Sequence, residues 1–148
     1  MDDIALMREI NRLQGQIDAL RTIQQGWSPV FLATPLTSTS WDGDARSTTG
    51  KTKIDLSAVF GTPAGIKAIL IGVSVRDSAS ASVQSYMYFG PTSTNGEGLV
   101  AKAGEINDRR TEYTLVVPCD GNGDIYYQIQ ASGTNTFDAW IDIWGYWI

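Results

Sequence analysis

The chain has 148 residues, of which 43% are hydrophobic, with one cysteine, no histidine and a formal net charge of -5 at pH 7. This is enough material for one compact core and an appendage, while the acidic balance argues against a nucleic-acid partner, which would need clustered lysine and arginine. Without histidine the chain lacks the commonest metal ligand and the usual general base of hydrolases, so we expect no catalytic residues, no metal site and no cofactor.

The first element is a predicted amphipathic helix over residues 3 to 25. Asp2 and Asp3 supply an N-cap and negative charge at the positive end of the helix dipole, and Gly26 is placed as a C-terminal stop. Its apolar residues recur at alternating spacings of four and three, the a/d pattern of a coiled coil. These residues are Leu6, Ile10, Leu13, Ile17 and Leu20. Because a lone helix of this length is marginal in water, the pattern predicts association with other copies.

The heptad positions carry conflicting information about the number of helices. Isoleucine at a and leucine at d favour two strands. However, Met7 at e and Ile23 at g widen the apolar stripe, which suits a bundle of three or more. Gln24 falls at a and Trp27 at d, so we expect Trp27 to fill the junction with the following domain. We predict a homotrimer, with a dimer as the alternative.

The composition changes at Gly26, where charged, Ala, Leu and Gln residues give way to Ser, Thr, Gly and β-branched residues. We therefore divide the chain into a coiled-coil stalk or anchor, residues 1–26, and a β-domain, residues 27–148. Turn signals such as Asp42-Gly43, Asn95-Gly96 and Asp120-Gly121 separate strand-like runs. The eight predicted strands lie near residues 30–38, 51–60, 65–76, 83–90, 97–106, 111–119, 124–132 and 137–147.

Eight antiparallel strands in about 120 residues indicate a jelly-roll-like β-sandwich, so the predicted fold class is mainly β with a short N-terminal coiled-coil helix. Two strands are apolar on both faces, which predicts a second cover such as a neighbouring subunit. In the first, Ile69, Ile71, Val73 and Val75 alternate with Ile66, Ala68 and Leu70. In the last, Phe137, Ala139, Ile141, Ile143 and Trp147 alternate with Asp138, Trp140, Asp142, Trp144, Tyr146 and Ile148.

The last strand supplies a candidate interface or glycan surface, formed by Trp140, Asp142, Trp144 and Tyr146. Tryptophan and tyrosine are enriched at subunit interfaces, which favours an interface here. A glycan site is the alternative, since sugars stack on indole rings and donate hydrogen bonds to carboxylates, and ordinary core packing is the third. Asp138 and Asp142 are about 13 Å apart along a strand, too far for a glycosidase pair.

Three other features are given structural interpretations. Asp120-Gly-Asn-Gly-Asp124 resembles the first half of a calcium loop but lacks its sixth-position glycine and final glutamate. A tight turn is therefore the simpler interpretation of this segment. Arg109 and Arg110 are expected to be solvated loop charges, with a contact to the acidic surface of a partner as the alternative. The sequence has no run of 18 apolar residues and no secretory signal pattern, so we expect synthesis in a cytoplasm without membrane insertion.

Four segments of the β-domain carry a family resemblance. They are Lys53-Ile-Asp-Leu-Ser57, Pro63-Ala-Gly-Ile-Lys-Ala-Ile-Leu-Ile71, Val75-Arg-Asp-Ser78 and Ile141-Asp-Ile-Trp-Gly-Tyr-Trp-Ile148. In these phrases the β-domain resembles the small trimeric β-sandwich domains of tailed-bacteriophage fibres and decoration proteins. The resemblance implies a homotrimeric virion protein assembled in the host cytoplasm and attached to phage capsid or tail proteins. It implies a head fibre or capsid decoration that aids host adhesion, or alternatively the carbohydrate-binding receptor-recognition tip of a tail fibre.

Overall fold

The computed structural model describes residues 3–24, 26–79 and 84–148 of the chain. The helices are α1 (Asp3–Gln24), a short 3-10 helix (Thr39–Trp41) and α2 (Leu56–Phe60). The strands are β1 (Pro29–Leu36), β2 (Asp42–Arg46), β3 (Thr49–Ile54), β4 (Ala68–Asp77), β5 (Tyr86–Gly90), β6 (Leu99–Lys102), β7 (Thr111–Pro118), β8 (Ile125–Gln130) and β9 (Phe137–Trp147).

The strands form two antiparallel sheets. Sheet A has the order β1-β9-β4-β7, and β2 pairs with β9 as well. Strands β1 and β2 meet different parts of β9, since Val30 pairs with Tyr146 whereas Asp42 pairs with Trp140. Sheet B has the order β3-β8-β5-β6. The predicted fold class is therefore confirmed as mainly β, with antiparallel sheets consistent with a β-sandwich and a helix at the N-terminus.

The hydrophobic core lies between the two sheets. Strand β4 contributes Ile69, Ile71, Val73 and Val75, each at most 2% exposed. The facing residues come mainly from β5 and β8 of sheet B, whereas β9, which lies beside β4 in sheet A, adds apolar side chains to the same side as β4. Helix α2 contributes Leu56 and Phe60. Burial of this many branched side chains provides the main driving force for folding, at about 1.5–3 kcal/mol for each large side chain. The burial of these side chains also determines which side of sheet A faces outward.

One strand prediction and one turn prediction are wrong in the segment from residue 42 to residue 60. The predicted strand 51–60 ends at Ile54, because Asp55 caps α2 by accepting a hydrogen bond from the Ala58 N–H at 2.9 Å. Gly61 then ends α2 in the left-handed conformation, with φ of 74°. Further upstream, the predicted Asp42-Gly43 turn is part of β2. Pairing with β9 overrides the turn propensity of these residues.

A β-bulge near the end of β9 changes the predicted facing of its last residues. Ile71 pairs with Ile143 whereas Leu70 pairs with Gly145, so Trp144 is the extra residue. Beyond the bulge, Tyr146 pairs with Ile69 and packs against the core. The prediction that Tyr146 shares a face with Trp140 and Trp144 is therefore wrong, because one extra residue exchanges the two faces of a strand.

Helix α1 matches the predicted helix closely and exposes its heptad stripe. Every residue from 4 to 18 is exposed. The described stripe residues Leu6, Ile10, Leu13 and Ile17 are 44–49% exposed. The predicted N-cap Asp2 and the side chains of Leu20, Ile23 and Gln24 lie outside the described residues. The helix is confirmed, and the coiled coil stays a prediction.

A buried carboxylate anchors the end of β4. Asp77 is 0% exposed and accepts hydrogen bonds from the backbone N–H of Ser132 at 2.8 Å and of Ala79 at 3.0 Å. The Ser132 hydroxyl also donates to it. Burial alone would raise the pKa of Asp77, but these hydrogen bonds outweigh the burial and hold the pKa below its ordinary value.

We expect Asp77→Asn to destabilise the protein at neutral pH and to flatten its acid denaturation. A lowered folded-state pKa means that the stabilisation is complete above the ordinary aspartate pKa of about 3.9 and is lost as the pH falls through the folded value. The variant should lose about 1–3 kcal/mol at pH 7. Urea unfolding between about pH 7 and about pH 2.5 measures both effects.

The matched control for Asp77→Asn is Asp44→Asn, which neutralises an exposed carboxylate on β2. The control should keep the pH profile of the parent protein. Parallel acid profiles for the parent and the Asp77 variant would contradict the assigned role of this carboxylate.

Candidate functional site

The outer face of sheet A carries most of the polar and aromatic side chains that the last strand was predicted to display. Trp140, Asp142 and Trp144 all lie on this face, since Trp140 pairs with Ser74 and Asp142 with Gly72 of β4. Trp144, the bulged residue, lies over Gly72, and its Nε1 is 3.3 Å from the point where a Gly72 Cβ would stand. Trp144 is 42% exposed.

Trp140 is held on two sides by groups from other strands. A Cβ on Gly43 of β2 would lie 2.5 Å from the indole, so only glycine permits this approach. The guanidinium of Arg110 stacks over the ring at 4.3 Å from its centroid, and that of Arg76 lies at 5.7 Å. Arg76 is in turn fixed by a hydrogen bond from its Nε to Asp138 Oδ2 at 2.9 Å. Trp140 is therefore a fixed support for Arg110.

An open depression of about 290 Å³ lies beside these aromatic rings, where β4, β7 and β9 run next to one another. We call it the sheet A depression. Gly72 and Ser74 form its floor, because both are outward positions of the central strand β4. Its other lining residues are Val73, Arg110, Glu112, Tyr113, Thr114 and Asp142.

The charged side chains of the sheet A depression differ in how firmly their neighbours hold them. Arg110 donates from Nη2 to the hydroxyl of Ser74 at 3.0 Å and lies 3.7 Å from a carboxylate oxygen of Glu112. The Glu112 side chain is 75% exposed, whereas that of Arg110 is 48% exposed. Arg110 is thus held by an aromatic face and a hydroxyl, and its remaining N–H groups are available for a ligand.

Sequence patterns predicted only part of this site. Arg110 was expected to be a solvated loop charge, yet it stacks on Trp140. Glu112, Ser74 and Gly72 were not singled out. The available signal was the alternation of outward residues along β7. The pairing of β7 with β4 places these residues one strand away from the outward residues of β9.

A separate apolar surface lies at the end of the sandwich where the β-domain begins. We call it the stalk-end surface, formed by Trp27, Phe31, Val116 and Ile148, which are 49–69% exposed. Phe31, Gly145, Leu70 and Val116 occupy one register row across four strands, about 14 Å at 4.8 Å per strand. Ser28 and Ile148 exchange backbone hydrogen bonds at 3.0 and 3.1 Å, which places the start of the β-domain at this end.

Asp120 and Cys119 have structural roles. Asp120 accepts hydrogen bonds from the backbone N–H groups of Asn122 and Asp124 at 2.9 Å, in agreement with a tight turn. Burial raises the pKa of the Cys119 thiol to about 12, so the thiol is protonated at neutral pH. Among residues 3–24, 26–79 and 84–148, no group of three or more potential metal-ligating side chains comes together. In the same ranges, no helix combines the length and hydropathy needed to cross a bilayer.

We expect Gly43→Ala to release Trp140 from its position. The new methyl group would collide with the indole, and Gly43 has φ of 109°, which alanine rarely adopts. The free energy of unfolding should fall by about 1–3 kcal/mol, and the near-ultraviolet circular dichroism of the tryptophans should weaken. Gly121→Ala is the control, because nothing lies within 4 Å of its Cβ position. An unchanged spectrum for the Gly43 variant would contradict the packing described for Trp140.

No protein-family model matches this sequence, and no curated protein is significantly similar to it.

Proposed function

We propose that this chain is a structural, non-enzymatic protein of a bacteriophage virion, a homotrimeric head fibre or capsid decoration displayed on the particle surface. In this proposal α1 is the trimer stalk or anchor, and the β-sandwich is the displayed domain that aids host adhesion. The support is the order of the two parts together with the resemblance of the β-domain to small trimeric phage domains.

The exposed heptad stripe of α1 is the observation that carries the proposal. Ile10, Leu13 and Ile17 are 44–48% exposed in the single chain. The helix has 22 residues, and over residues 4–18, where the structure describes its side chains, every one is exposed. A helix with such an exposed apolar stripe has little reason to be stable alone in water. Packing the same stripe against two other copies removes this apolar area from water and gives the helix a core.

The stalk-end surface supports association that continues beyond the helix. Helix α1 ends at Gln24 and β1 begins at Pro29, so in the sequence Trp27 connects the heptad stripe to the rest of the stalk-end surface. Exposed apolar patches of this kind mark interaction sites in soluble proteins. Contacts between copies at Phe31 and Val116 would fix the β-domains relative to the stalk.

Light scattering of the full chain tests the assembly. We expect a mass of about three times 16.1 kDa, and a clean monomer would overturn the proposal. Removal of residues 1–26 should lower the mass or reduce the stability of the remaining domain. Twice 16.1 kDa would retain the stalk but replace the trimer with the dimer that the a and d residues favour.

The location on the particle needs a separate measurement. Purified protein should cosediment with phage heads that lack it if it is a head fibre or decoration protein. Binding to tails instead, or a gene that neighbours tail genes and not a capsid gene, would assign it to a tail fibre. Binding to neither heads nor tails would overturn the virion assignment.

A carbohydrate-binding receptor-recognition tip is the second candidate function. The observation that favours it is the sheet A depression, which is lined by the carboxylate of Asp142 and by Gly72, with the partly exposed Trp144 lying over Gly72 at its side. This combination provides both a stacking surface and hydrogen-bond acceptors for sugar hydroxyls.

A further inference from the structure

We propose that the sheet A depression binds one neutral, hydroxyl-rich sugar ring, an inference that rests on the second candidate function and names its ligand class. The volume of about 290 Å³ lies at the lower end of the range for small-molecule sites, which suits a single ring. The depression is open to solvent, so a terminal or branching sugar of a longer chain can enter it without passing a constriction.

The charges of the depression select against acidic sugars. Its lining contains one cation, Arg110, and two carboxylates, Glu112 and Asp142. A sialic or uronic acid would meet a net negative charge, and the single guanidinium is already 3.7 Å from Glu112. Neutral hydroxyl groups can instead donate to the two carboxylates and accept from Arg110. Charge-assisted hydrogen bonds of this kind are the stronger ones.

The donor side of the site is fixed before a ligand arrives. Arg110 is held by the face of Trp140 and by the hydroxyl of Ser74, and Trp140 is itself held against Gly43. An arginine that is already ordered loses little conformational entropy when it binds. This chain of contacts gives Arg110 a role in positioning the sugar that solvated loop arginines lack.

The stacking side is provided by Trp144. Its indole edge lies against the backbone of Gly72, and 42% of the residue stays exposed beside the depression. The C–H groups on one face of a pyranose can pack on such a ring while the hydroxyl groups at its edge reach Asp142 and Glu112. Amphipathic aromatic side chains are suited to this combination of apolar contact and wet surroundings.

A nuclear magnetic resonance titration of the full chain tests the inference. The neutral probes are the methyl glycosides of glucose, galactose, mannose and N-acetylglucosamine, and the acidic probes are sialic acid and glucuronic acid. At least one neutral probe should shift the backbone signals of Gly72 and Thr114 and the indole N–H signal of Trp144. We expect about millimolar affinity, because the site is open and engages one ring, and binding at least about tenfold weaker for the acidic probes.

Two variants and one control assign the binding to the depression. Trp144→Ala removes the stacking ring and Asp142→Asn removes one acceptor charge, and each should weaken the neutral probe about tenfold. Asp44→Asn, an exposed carboxylate outside the lining, should leave the affinity unchanged. Equal binding by the parent and the Trp144 variant would overturn the inference.

Other outcomes separate this inference from the two candidate functions. Preferential binding of the acidic probes at the same signals would overturn the neutral-sugar inference and leave carbohydrate recognition standing. An absence of shifts with every probe would overturn both. Light scattering of each variant reports the assembly independently, so a monomer that still binds the neutral probe would overturn the trimer proposal and support this inference.

Discussion

Replacing Ile10 and Ile17 together by aspartate should convert the assembled protein into a monomer. Both residues occupy a positions of the exposed stripe, and a trimer would bury each of them in all three chains. Burial of one isoleucine is worth about 1.5–3 kcal/mol, so the loss over the assembly is on the order of 10 kcal/mol. The introduced carboxylates would also be desolvated beside one another. Light scattering should then report about 16.1 kDa in place of three times that mass.

The matched control is Asn11→Asp with Gly15→Asp, which introduces the same two side chains at outward heptad positions. This control should keep the mass of the parent. If the stripe variant and the control had the same mass, the a positions would not form the interface. The helical circular dichroism of the stripe variant should also fall, since the isolated helix is marginal.

The second large effect is expected for Gly98→Ala, at the start of β6. A Cβ on Gly98 would lie 2.2 Å from the carbonyl oxygen of Phe89 and 2.8 Å from its carbonyl carbon. These are backbone atoms of β5, and Phe89 pairs with Leu99, so neither strand can move without loss of the pairing. Gly98 also has φ of 131°. Together the collision and the strain should cost about 4 kcal/mol, a large part of the stability of a typical domain.

Gly96→Ala separates the two causes. Gly96 has φ of 79°, but nothing lies within 4 Å of its Cβ position. It should therefore lose only about 1 kcal/mol, through backbone strain alone. Urea unfolding of the two variants gives the comparison. Equal losses would show that the approach to Phe89 contributes nothing beyond the conformation of the backbone.

The fold was predictable where a local pattern coincides with a long-range contact. Helix α1 and strand β9 follow directly from their periodicity, and the runs near β4 and β7 were placed within a few residues. Strand β2 was missed because its Asp-Gly-Asp segment has the composition of a turn and becomes a strand only through its pairing with β9. Helix α2 was hidden inside a predicted strand, although Asp55 and Gly61 are ordinary capping residues.

The candidate site was predictable only along one strand. Trp140 and Asp142 could be assigned to a common face from a period of two residues. Arg110 and Glu112 join them because β7 lies beside β4 in one particular register, which a single sequence does not specify. Tyr146 was misplaced because nothing in the sequence marks Trp144 as a bulge. The site therefore depends on strand register, whereas the core depends mainly on hydrophobic pattern.

The position of β9 in sheet A has a consequence for synthesis. β9 lies between β4 on one side and β1 and β2 on the other, yet it follows all three of these partners in the sequence and is synthesised after them. Until residue 137 has emerged, the edges of these three partners have no strand to pair with, and unpaired edges are sites of aggregation. Helix α1 emerges long before that. In the proposed trimer, neighbouring nascent chains would meet through their helices while their sandwiches are still open. A chain truncated before β9 would keep those edges permanently exposed.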